Sequence, residues 1–366
     1  MEPPRQSTFK WNAHINYFRR CLMALPTAAE GHDSNRITIA YFCLSALDLL
    51  GALQDKTSEE QRNGWIDWIW TLQARKSLLT SSTALELTRE LIQLMENAST
   101  SPAHLPSTYT ALLSLAILRA PLDRLDRAGL VAFVKSCQSP NGSFSPTADS
   151  YTLGGFQSDA RMAYCACAVS NMIGDMSGID VPLLRQWIES CRTWEGGYGS
   201  RPGVIEAQGG TTYCSLTSLA LLEQDSSHST LSLSSLDQQS QDDTTRWLVS
   251  RQIGGFQGRP GKLEDVCYSF WCGGALNVLG HGNLVSHSEN QSFLLSSQSP
   301  FGGFGKEPED YPDPFHSYLA LAALSLSSLE SSVEQASLGL QELDVKWNCS
   351  CETAKYLTKE IHRITS

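Results

Sequence analysis

Residues 244–279 read TTRWLVSRQIGGFQGRPGKLEDVCYSFWCGGALNVL and contain one complete unit of a repeated pattern. The unit begins with an amphipathic segment, passes through a turn of two glycines and an aromatic residue, and ends in an apolar segment rich in small residues. The first segment predicts a helix that buries one face, and the last predicts a helix buried on most sides. One unit therefore predicts an outer helix, a tight turn and an inner helix.

The same order of segments recurs along the chain. Measured from Gly142, Gly197, Gly255 and Gly303, the turns are 55, 58 and 48 residues apart. A fixed period of about fifty residues with two helices per unit predicts a helical array. The predicted inner helices are residues 160–172, 211–222, 267–279 and 316–326, with two earlier ones of similar composition at 37–50 and 107–118.

Such an array is either an open solenoid or a closed ring. An open solenoid needs polar caps at its ends, whereas a ring needs none and encloses a cavity. We therefore predict an all-α fold, an α–α barrel (toroid) of about six helical-hairpin repeats around a central apolar cavity. The barrel is predicted to form a single domain over residues 1–366, with a flexible Ser/Gln/Asp-rich insertion at 223–243.

Composition and charge narrow the function classes. The chain has 366 residues, of which 41% are hydrophobic and 18% charged, and its net charge is −11 at pH 7. An acidic surface argues against general binding to nucleic acids or membrane surfaces. Residues 1–12 lack the apolar core of a signal peptide, and the apolar run at 111–118 is too short to span a bilayer. Together with eleven irregularly spaced cysteines, these features predict a cytoplasmic protein with reduced thiols and no stable membrane insertion.

The residues that follow the turns are predicted to face one rim of the cavity. Asp265 and Cys267 stand there in one repeat, and His316 takes the matching place in the next. A set of Asp, Cys and His can bind zinc and leaves the fourth tetrahedral position open for a substrate. The alternative is a capping aspartate, a buried cysteine and an ordinary histidine, because the spacing is no CxxC signature. Cys349 and Cys351 have no matching Cys/His pair nearby and are interpreted as ordinary residues.

Four cations share the predicted rim. One cation would be a solvated surface charge, but four on one rim of an acidic protein predict an anion site, and Arg and Lys suit phosphate. These cations are Arg161, Arg259, Lys262 and Lys306. Aromatic residues of the same repeats predict a wall for a long apolar ligand, with plain core packing as the alternative for each. The predicted wall residues are Phe42, Tyr164, Trp194, Tyr213, Tyr268, Phe270 and Trp271.

These segments resemble the β subunits of protein prenyltransferases, most specifically through GGFQGRPGKLEDVCYSFW at 254–271. The resemblance runs from HINYFRRCLMALP at 14–26 to FHSYLALAALSL at 315–326. It implies a heterodimer with a helical-repeat α subunit that alkylates a cysteine near the C terminus of target proteins. It also implies that Asp265, Cys267 and His316 bind one Zn²⁺ and, with Tyr268, carry catalysis. The residues implied to hold the lipid diphosphate are Arg161, Arg259, Lys262 and Tyr268.

Two features favour resemblance to type I protein geranylgeranyltransferase over protein farnesyltransferase, which is the alternative. Thr38 stands where farnesyltransferase has a bulky Trp, so that a longer isoprenoid has room, and Phe42 one turn later also fits type I. Lys306 stands where farnesyltransferase has a carboxylate that binds magnesium, so that magnesium is expected to be dispensable. The resemblance then implies geranylgeranyl diphosphate and CaaX-ending proteins, typically with X = Leu, such as Rho-family small GTPases.

One position departs from the family's pattern. Gln208 stands where the family usually has a His that contacts the diphosphate, and Gln donates a hydrogen bond without carrying charge. Three other functions are alternatives to the prenyltransferase interpretation. A terpene cyclase can share the barrel, but the chain has no DDxxD or DxDD motif. A helical scaffold with a structural zinc would need a fourth protein ligand, and an inactive subunit would lack ligands that are present here.

Overall fold

The computed structural model describes residues 8–25, 31, 35–73, 103–148, 158–223, 233–330 and 338–366. Their regular secondary structure is helical except for one short antiparallel pair of strands, β1 (Leu343–Asp344) and β2 (Cys349–Ser350). The helices are α1 (Trp11–Met23), α2 (Arg36–Leu49), α3 (Leu53–Lys56), α4 (Glu59–Thr71), α5 (Leu105–Ile117), α6 (Arg127–Cys137), α7 (Ala160–Met172), α8 (Val181–Ser190), α9 (Gly209–Glu223), α10 (Gln238–Val249), α11 (Val266–Val278), α12 (His287–Ser296), α13 (Pro314–Glu330) and α14 (Cys351–Thr365).

Six inner helices form a closed ring. Helices α2, α5, α7, α9, α11 and α13 each pack against the next, and α13 packs against α2. Outside them lie α1, α4, α6, α8, α10 and α12, each packed against an inner helix. The prediction of an α–α barrel with about six helix pairs is therefore confirmed.

The inner and outer helices differ in burial as their sequences predict. Nearly every residue of α7 and α9 is buried, because small side chains let neighbouring inner helices approach closely. Outer helix α8 instead buries one face, formed by Leu184, Trp187 and Ile188. Its first turn is fixed by Asp180, whose side chain accepts a hydrogen bond from the amide of Leu183.

One backbone hydrogen bond links successive repeats at the same place each time. The amide of the first residue of an inner helix donates to the carbonyl two residues after the aromatic residue of the next turn. The four bonds join Leu105 to Pro146 (2.7 Å), Ala160 to Ser200 (3.0 Å), Gly209 to Gly258 (2.9 Å) and Val266 to Lys306 (2.8 Å). This recurrence places the loops that precede the inner helices side by side on one rim.

The turns need glycine because the next outer helix packs directly on them. Gly142 has φ 89°, and a Cβ there would lie 2.2 Å from the carbonyl oxygen of Leu183 in α8. Gly302, in the last turn, has φ 91°, and its Cβ would lie 2.0 Å from the carbonyl oxygen of Ala13 in α1. The N-terminal helix therefore follows the last repeat as α8 follows an earlier one, and this packing closes the ring.

His14 of α1 joins the two ends of the ring. Its ring stacks on Phe304 with 4.6 Å between centroids, and its Nδ1 accepts a hydrogen bond from the amide of Gly303 (3.0 Å). Its Nε2 therefore carries the proton and donates to Oε1 of Gln298 (3.2 Å). Burial, helped by the nearby charge of Lys10, lowers the pKa of His14 to about 4 despite the hydrogen bond to Gln298.

Acid is expected to weaken ring closure through His14. The unfolded chain takes up a proton at the ordinary His pKa of about 6.5, whereas folded His14 stays neutral until about pH 4. Stability from this residue is therefore complete above pH 6.5 and falls by about 3 kcal/mol as the pH drops to 4. In His14→Gln, melting temperatures measured across this range should depend less on pH than in the original chain. Equal pH dependence in both proteins would contradict this role.

Residues 345–348, which we call the C-terminal segment, close one end of the ring. Tyrosine hydroxyls from five inner helices donate to four consecutive backbone carbonyls at residues 345–348. The pairs are Tyr213 with Val345 (2.7 Å), Tyr164 with Lys346 (2.8 Å), Tyr109 with Trp347 (2.8 Å), and both Tyr318 (2.5 Å) and Tyr41 with Asn348. Hydroxyls that converge from five directions place this segment on the axis of the ring.

One expectation about an irregular segment changes. The predicted flexible insertion at 223–243 extends too far, because α10 begins at Gln238 behind the capping side chain of Asp237 and Leu233 and Leu236 are buried. Residues 224–232 of that prediction lie outside the described residues. Cys349 is buried and, with Cys351, belongs to no metal-binding cluster of the described residues. In the same residues, no helix is long and apolar enough to cross a bilayer.

Candidate active site

Two neighbouring inner helices bring together three side chains that could hold a metal ion. Asp265 caps the N terminus of α11, Cys267 lies in its first turn, and His316 lies in the first turn of α13. One ligand atom from each of the three residues lies within 4.8 Å of the others. Residues 49 positions apart in sequence therefore meet because α11 and α13 are adjacent in the ring.

Hydrogen bonds fix the orientation of the Asp265 and His316 side chains. Oδ1 of Asp265 accepts a bond from the amide of Cys267 (3.0 Å). Asp313 accepts a bond from the amide of His316 (2.9 Å) and a second from its Nδ1 (2.6 Å). Nε2 of His316 then faces Asp265, 3.5 Å from its Oδ1. A carboxylate behind the imidazole is the usual partner of a metal-binding His, so Asp313 orients the ligand.

The three side chains shift one another's pKa values. Burial lowers the pKa of His316, but hydrogen bonds to Asp265 and Asp313 outweigh it and raise the pKa to about 9. Burial raises the pKa of Asp265, but hydrogen bonds from His316 and Cys267 outweigh it and lower the pKa. Burial and the charge of Asp265 raise the pKa of Cys267 well above its usual range. A metal ion must therefore expel the protons of the thiol and the imidazolium.

The donor set fits a zinc ion. Sulfur, imidazole nitrogen and carboxylate oxygen are all zinc ligands, and three of them leave one tetrahedral position open. Among the described residues, no fourth His, Cys, Asp or Glu joins the cluster. An open position is typical of a catalytic site and argues against the structural zinc of a scaffold.

A cavity of about 600 Å³ opens beside the three ligands at the same rim. Asp265 belongs both to the metal-binding cluster and to the wall of this cavity, so the two sites are contiguous. The cavity also contains five of the residues predicted to bind the diphosphate: Gln208, Arg259, Lys262, Tyr268 and Lys306. Two further carboxylates, Glu264 and Glu307, were not predicted there. With Asp265, three carboxylates and three cations line this cavity, which we call the basic mouth after its cations.

Hydrogen bonds hold the side chains of Gln208, Tyr268 and Glu264 in place within the basic mouth. Nε2 of Gln208 donates to the hydroxyl oxygen of Tyr268 (2.8 Å). Burial raises the pKa of Tyr268, so its hydroxyl keeps the proton and can donate it to an anion. Glu264 accepts bonds from the amides of Gly254 (2.9 Å) and Gly255 (2.5 Å), so its carboxylate is already engaged with the turn.

Other predicted residues lie outside the basic mouth. Arg161 is not among its lining residues; its side chain is 70% exposed and pairs with Asp159, the cap of its own helix. Thr38 and Phe42 are half-buried on α2, where the Phe42 ring lies 5.5 Å from that of Phe315, beside His316. The hydroxyl of Tyr164 bonds the C-terminal segment. The roles of these residues in lipid binding remain predictions.

Two predicted wall residues are corrected. Trp194 is 85% exposed at the tip of its turn, so it does not line an enclosed cavity. Phe270 is completely buried against Tyr213 and Trp271, with centroids 5.1 and 5.0 Å away, and is core. Trp271 and Tyr268 are partly buried and remain available to a ligand.

The chain is similar in sequence and in structure to members of one protein family. The prenyltransferase alpha-alpha toroid domain family matches residues 9–349. The geranylgeranyl transferase type-1 subunit beta of Arabidopsis thaliana is 33% identical over 347 residues, covering 88% of each chain. That of Dictyostelium discoideum is 31% identical, covering 86% of this chain and 90% of the relative. The solved structure of Candida albicans protein geranylgeranyltransferase-I complexed with GGPP superposes with a TM-score of 0.78 at 29% identity, covering 97% of this chain and 99% of the other.

Proposed function

Because the chain belongs to the prenyltransferase alpha-alpha toroid family, we propose that it is the β subunit of a type I protein geranylgeranyltransferase. It transfers a geranylgeranyl group from geranylgeranyl diphosphate to the cysteine thiol of C-terminal CaaX sequences. The observation that carries this proposal is the shared wall at Asp265, which places a metal-binding cluster against a basic mouth. A site for a thiol nucleophile thus adjoins a site for a diphosphate leaving group.

The chain's own residues perform four tasks in this reaction. Asp265, Cys267 and His316 would hold a zinc ion, which when bound supplies the positive charge that lowers the pKa of a substrate thiol. Arg259, Lys262 and Lys306 bind the diphosphate and stabilise the negative charge that develops as it leaves. The Tyr268 hydroxyl donates a hydrogen bond to the same group. The aromatic residues of the inner helices form the apolar wall that excludes water from the reacting carbon.

Two residues support the geranylgeranyl subtype. Thr38 gives α2 a small, half-buried side chain one turn before Phe42, which leaves room for a long isoprenoid. The ammonium of Lys306 lines the basic mouth and offsets diphosphate charge, so magnesium is not required. Arg161 is proposed as a further diphosphate contact that its ion pair with Asp159 holds near the rim.

Exposed apolar side chains at the rim support the proposal that a partner subunit binds there. Six large hydrophobic side chains of the turns and loops there are 62–95% exposed: Trp194, Ile205, Ile253, Leu263, Phe301 and Tyr311. Large exposed apolar side chains on the turns and loops of one rim are typical of an interaction surface. We propose that they contact a prenyltransferase α subunit, and that the heterodimer acts in the cytoplasm on CaaX-ending proteins such as Rho-family small GTPases.

Gln208 makes diphosphate binding less dependent on pH. A His at this position would be protonated below about pH 6.5 and would add a charge to the basic mouth. In Gln208→His, affinity for the lipid diphosphate is therefore expected to rise about threefold to tenfold between pH 8 and pH 6, as fluorescence titration would measure. Gln208→Met has a similar volume, cannot donate to Tyr268 and serves as the uncharged control. Unchanged affinity and pH profile in Gln208→His would show that this position does not sense the diphosphate.

The proposed function is tested by transfer from radiolabelled geranylgeranyl diphosphate to a peptide that ends in a CaaX sequence. The chain is co-expressed with a prenyltransferase α subunit and purified as the complex. We expect transfer that stops on metal chelation and returns with added zinc. Transfer unaffected by complete metal removal would contradict the role of the three ligands.

A further inference from the structure

An acidic side chain at the edge of the basic mouth pairs with one of its cations. Nη1 of Arg259 donates to Oε2 of Glu206, and the two side chains are 41% and 48% exposed. They come from the loops before α9 and α11, two adjacent repeats. An ion pair this exposed contributes only about 0–1 kcal/mol to folding. Stability therefore does not explain why a carboxylate stands beside an anion-binding arginine.

The backbone beside Glu206 is fixed on its C-terminal side. The next amide, of Ala207, donates to Oε2 of Glu195 (2.7 Å), and the amide of Gln208 donates to the carbonyl of Tyr198 (3.2 Å). The side chain of Gln208 is held by Tyr268. Glu206 therefore presents its carboxylate from an anchored loop.

Arg259 differs from the other cations of the basic mouth. In the described part of the chain, no carboxylate pairs with the ammonium group of Lys262 or Lys306, although both line the cavity. An incoming diphosphate can therefore contact the two lysines directly, but must compete with Glu206 for the guanidinium of Arg259. Its charge is also repelled by the Glu206 carboxylate.

We propose that Glu206 is an exchangeable counterion for Arg259 that weakens diphosphate binding and so promotes release of the diphosphate product. This inference rests on the proposed function of the basic mouth. When diphosphate enters, Arg259 moves from the carboxylate to the phosphate oxygens; when diphosphate leaves, the ion pair forms again. Glu206 acts through Arg259 and is a positioning residue.

The test measures inorganic diphosphate and geranylgeranyl diphosphate binding by calorimetry on the complex with the α subunit. Glu206→Gln keeps the shape of the side chain and removes its charge. We expect it to bind both ligands about fivefold more tightly and to be inhibited by inorganic diphosphate at about fivefold lower concentration. In an Arg259→Gln background, Glu206→Gln should have no further effect. Glu60→Gln, in the exposed first turn of α4, is the matched control and should match the original protein.

Four results would overturn the inference. Equal affinity in Glu206→Gln and the original protein would show that the carboxylate does not compete, and weaker binding would show that it supports Arg259 instead. A gain that persists in the Arg259→Gln background would be a general charge effect. If the original protein binds neither ligand, the proposed function fails and this inference with it. Binding by the original protein with no gain in Glu206→Gln overturns this inference alone.

Discussion

Replacing Cys267 by alanine is expected to remove the bound metal and lower the rate of prenyl transfer by about a thousandfold or more. The thiol supplies one of three ligand atoms that lie within 4.8 Å of each other, and two ligands cannot retain the ion at working concentrations. The side chain is small and buried, so the helical fold should persist. Metal content by mass spectrometry, transfer rate and circular dichroism measure the three effects.

Cys272→Ala is the matched control for this experiment. Cys272 is also buried on α11, five residues later, and belongs to no metal-binding cluster of the described residues. The control should keep both metal and activity. A Cys267→Ala protein that retains stoichiometric metal would show that the ligand assignment is wrong. Loss of helical structure in Cys267→Ala, but not in Cys272→Ala, would show that the metal is structural.

Replacing Thr38 by tryptophan is expected to reverse the choice of lipid. An indole on α2, one turn before Phe42, would occupy the volume proposed for the last isoprene unit, whereas a farnesyl group would still fit. We expect kcat/KM for geranylgeranyl diphosphate to fall about 10- to 100-fold, with that for farnesyl diphosphate maintained or raised. Steady-state kinetics with both lipids and one peptide measure the change.

Thr38→Val has nearly the volume of threonine and tests whether the hydroxyl contributes. Its lipid preference should match that of the original chain. If Thr38→Trp keeps the geranylgeranyl preference, the length of the cavity is set elsewhere. Equal losses with both lipids would instead indicate a distorted α2.

The repeat made most of the fold predictable from sequence. Six inner segments of small and apolar residues, with glycine turns between them, specify helices that pack only against their neighbours. A closed ring was favoured over an open solenoid because a ring needs no polar caps and encloses a cavity. The metal-binding cluster was predictable for the same reason, since Cys267 and His316 occupy matching places in consecutive repeats.

The position of the C-terminal segment was not predicted, because it depends on backbone contacts that no particular residue type reveals. The C-terminal segment closes the ring through its backbone carbonyls, which look the same in any sequence. The signal was in its partners. Tyr109, Tyr164, Tyr213 and Tyr318 are each the fifth residue of an inner helix, as is Phe270, and Tyr41 is the sixth residue of α2. Of these six residues, Tyr164, Tyr213 and Phe270 were interpreted as cavity wall and the other three had no assigned role, so the structural role of the tyrosines was missed.

Three smaller differences between the sequence predictions and the structure each have a local cause. Asp313 was missed because its role depends on facing Nδ1 of His316, although a carboxylate three residues before a candidate ligand is a usable signal. Trp194 was misassigned because aromatic character does not distinguish a cavity wall from an exposed turn. The boundary of the insertion was misplaced because polar residues 238–243 form the start of α10, where Asp237 supplies the cap.

The most direct test of the account compares geranylgeranyl and farnesyl transfer by the complex with its α subunit. Peptides ending in Leu or Ser serve as acceptors, with and without magnesium. We predict geranylgeranyl transfer to the Leu peptide at full rate without magnesium, because Thr38 leaves room for the longer lipid and Lys306 offsets the diphosphate charge. Magnesium-dependent farnesyl transfer to the Ser peptide would contradict the proposed subtype and the roles of both residues.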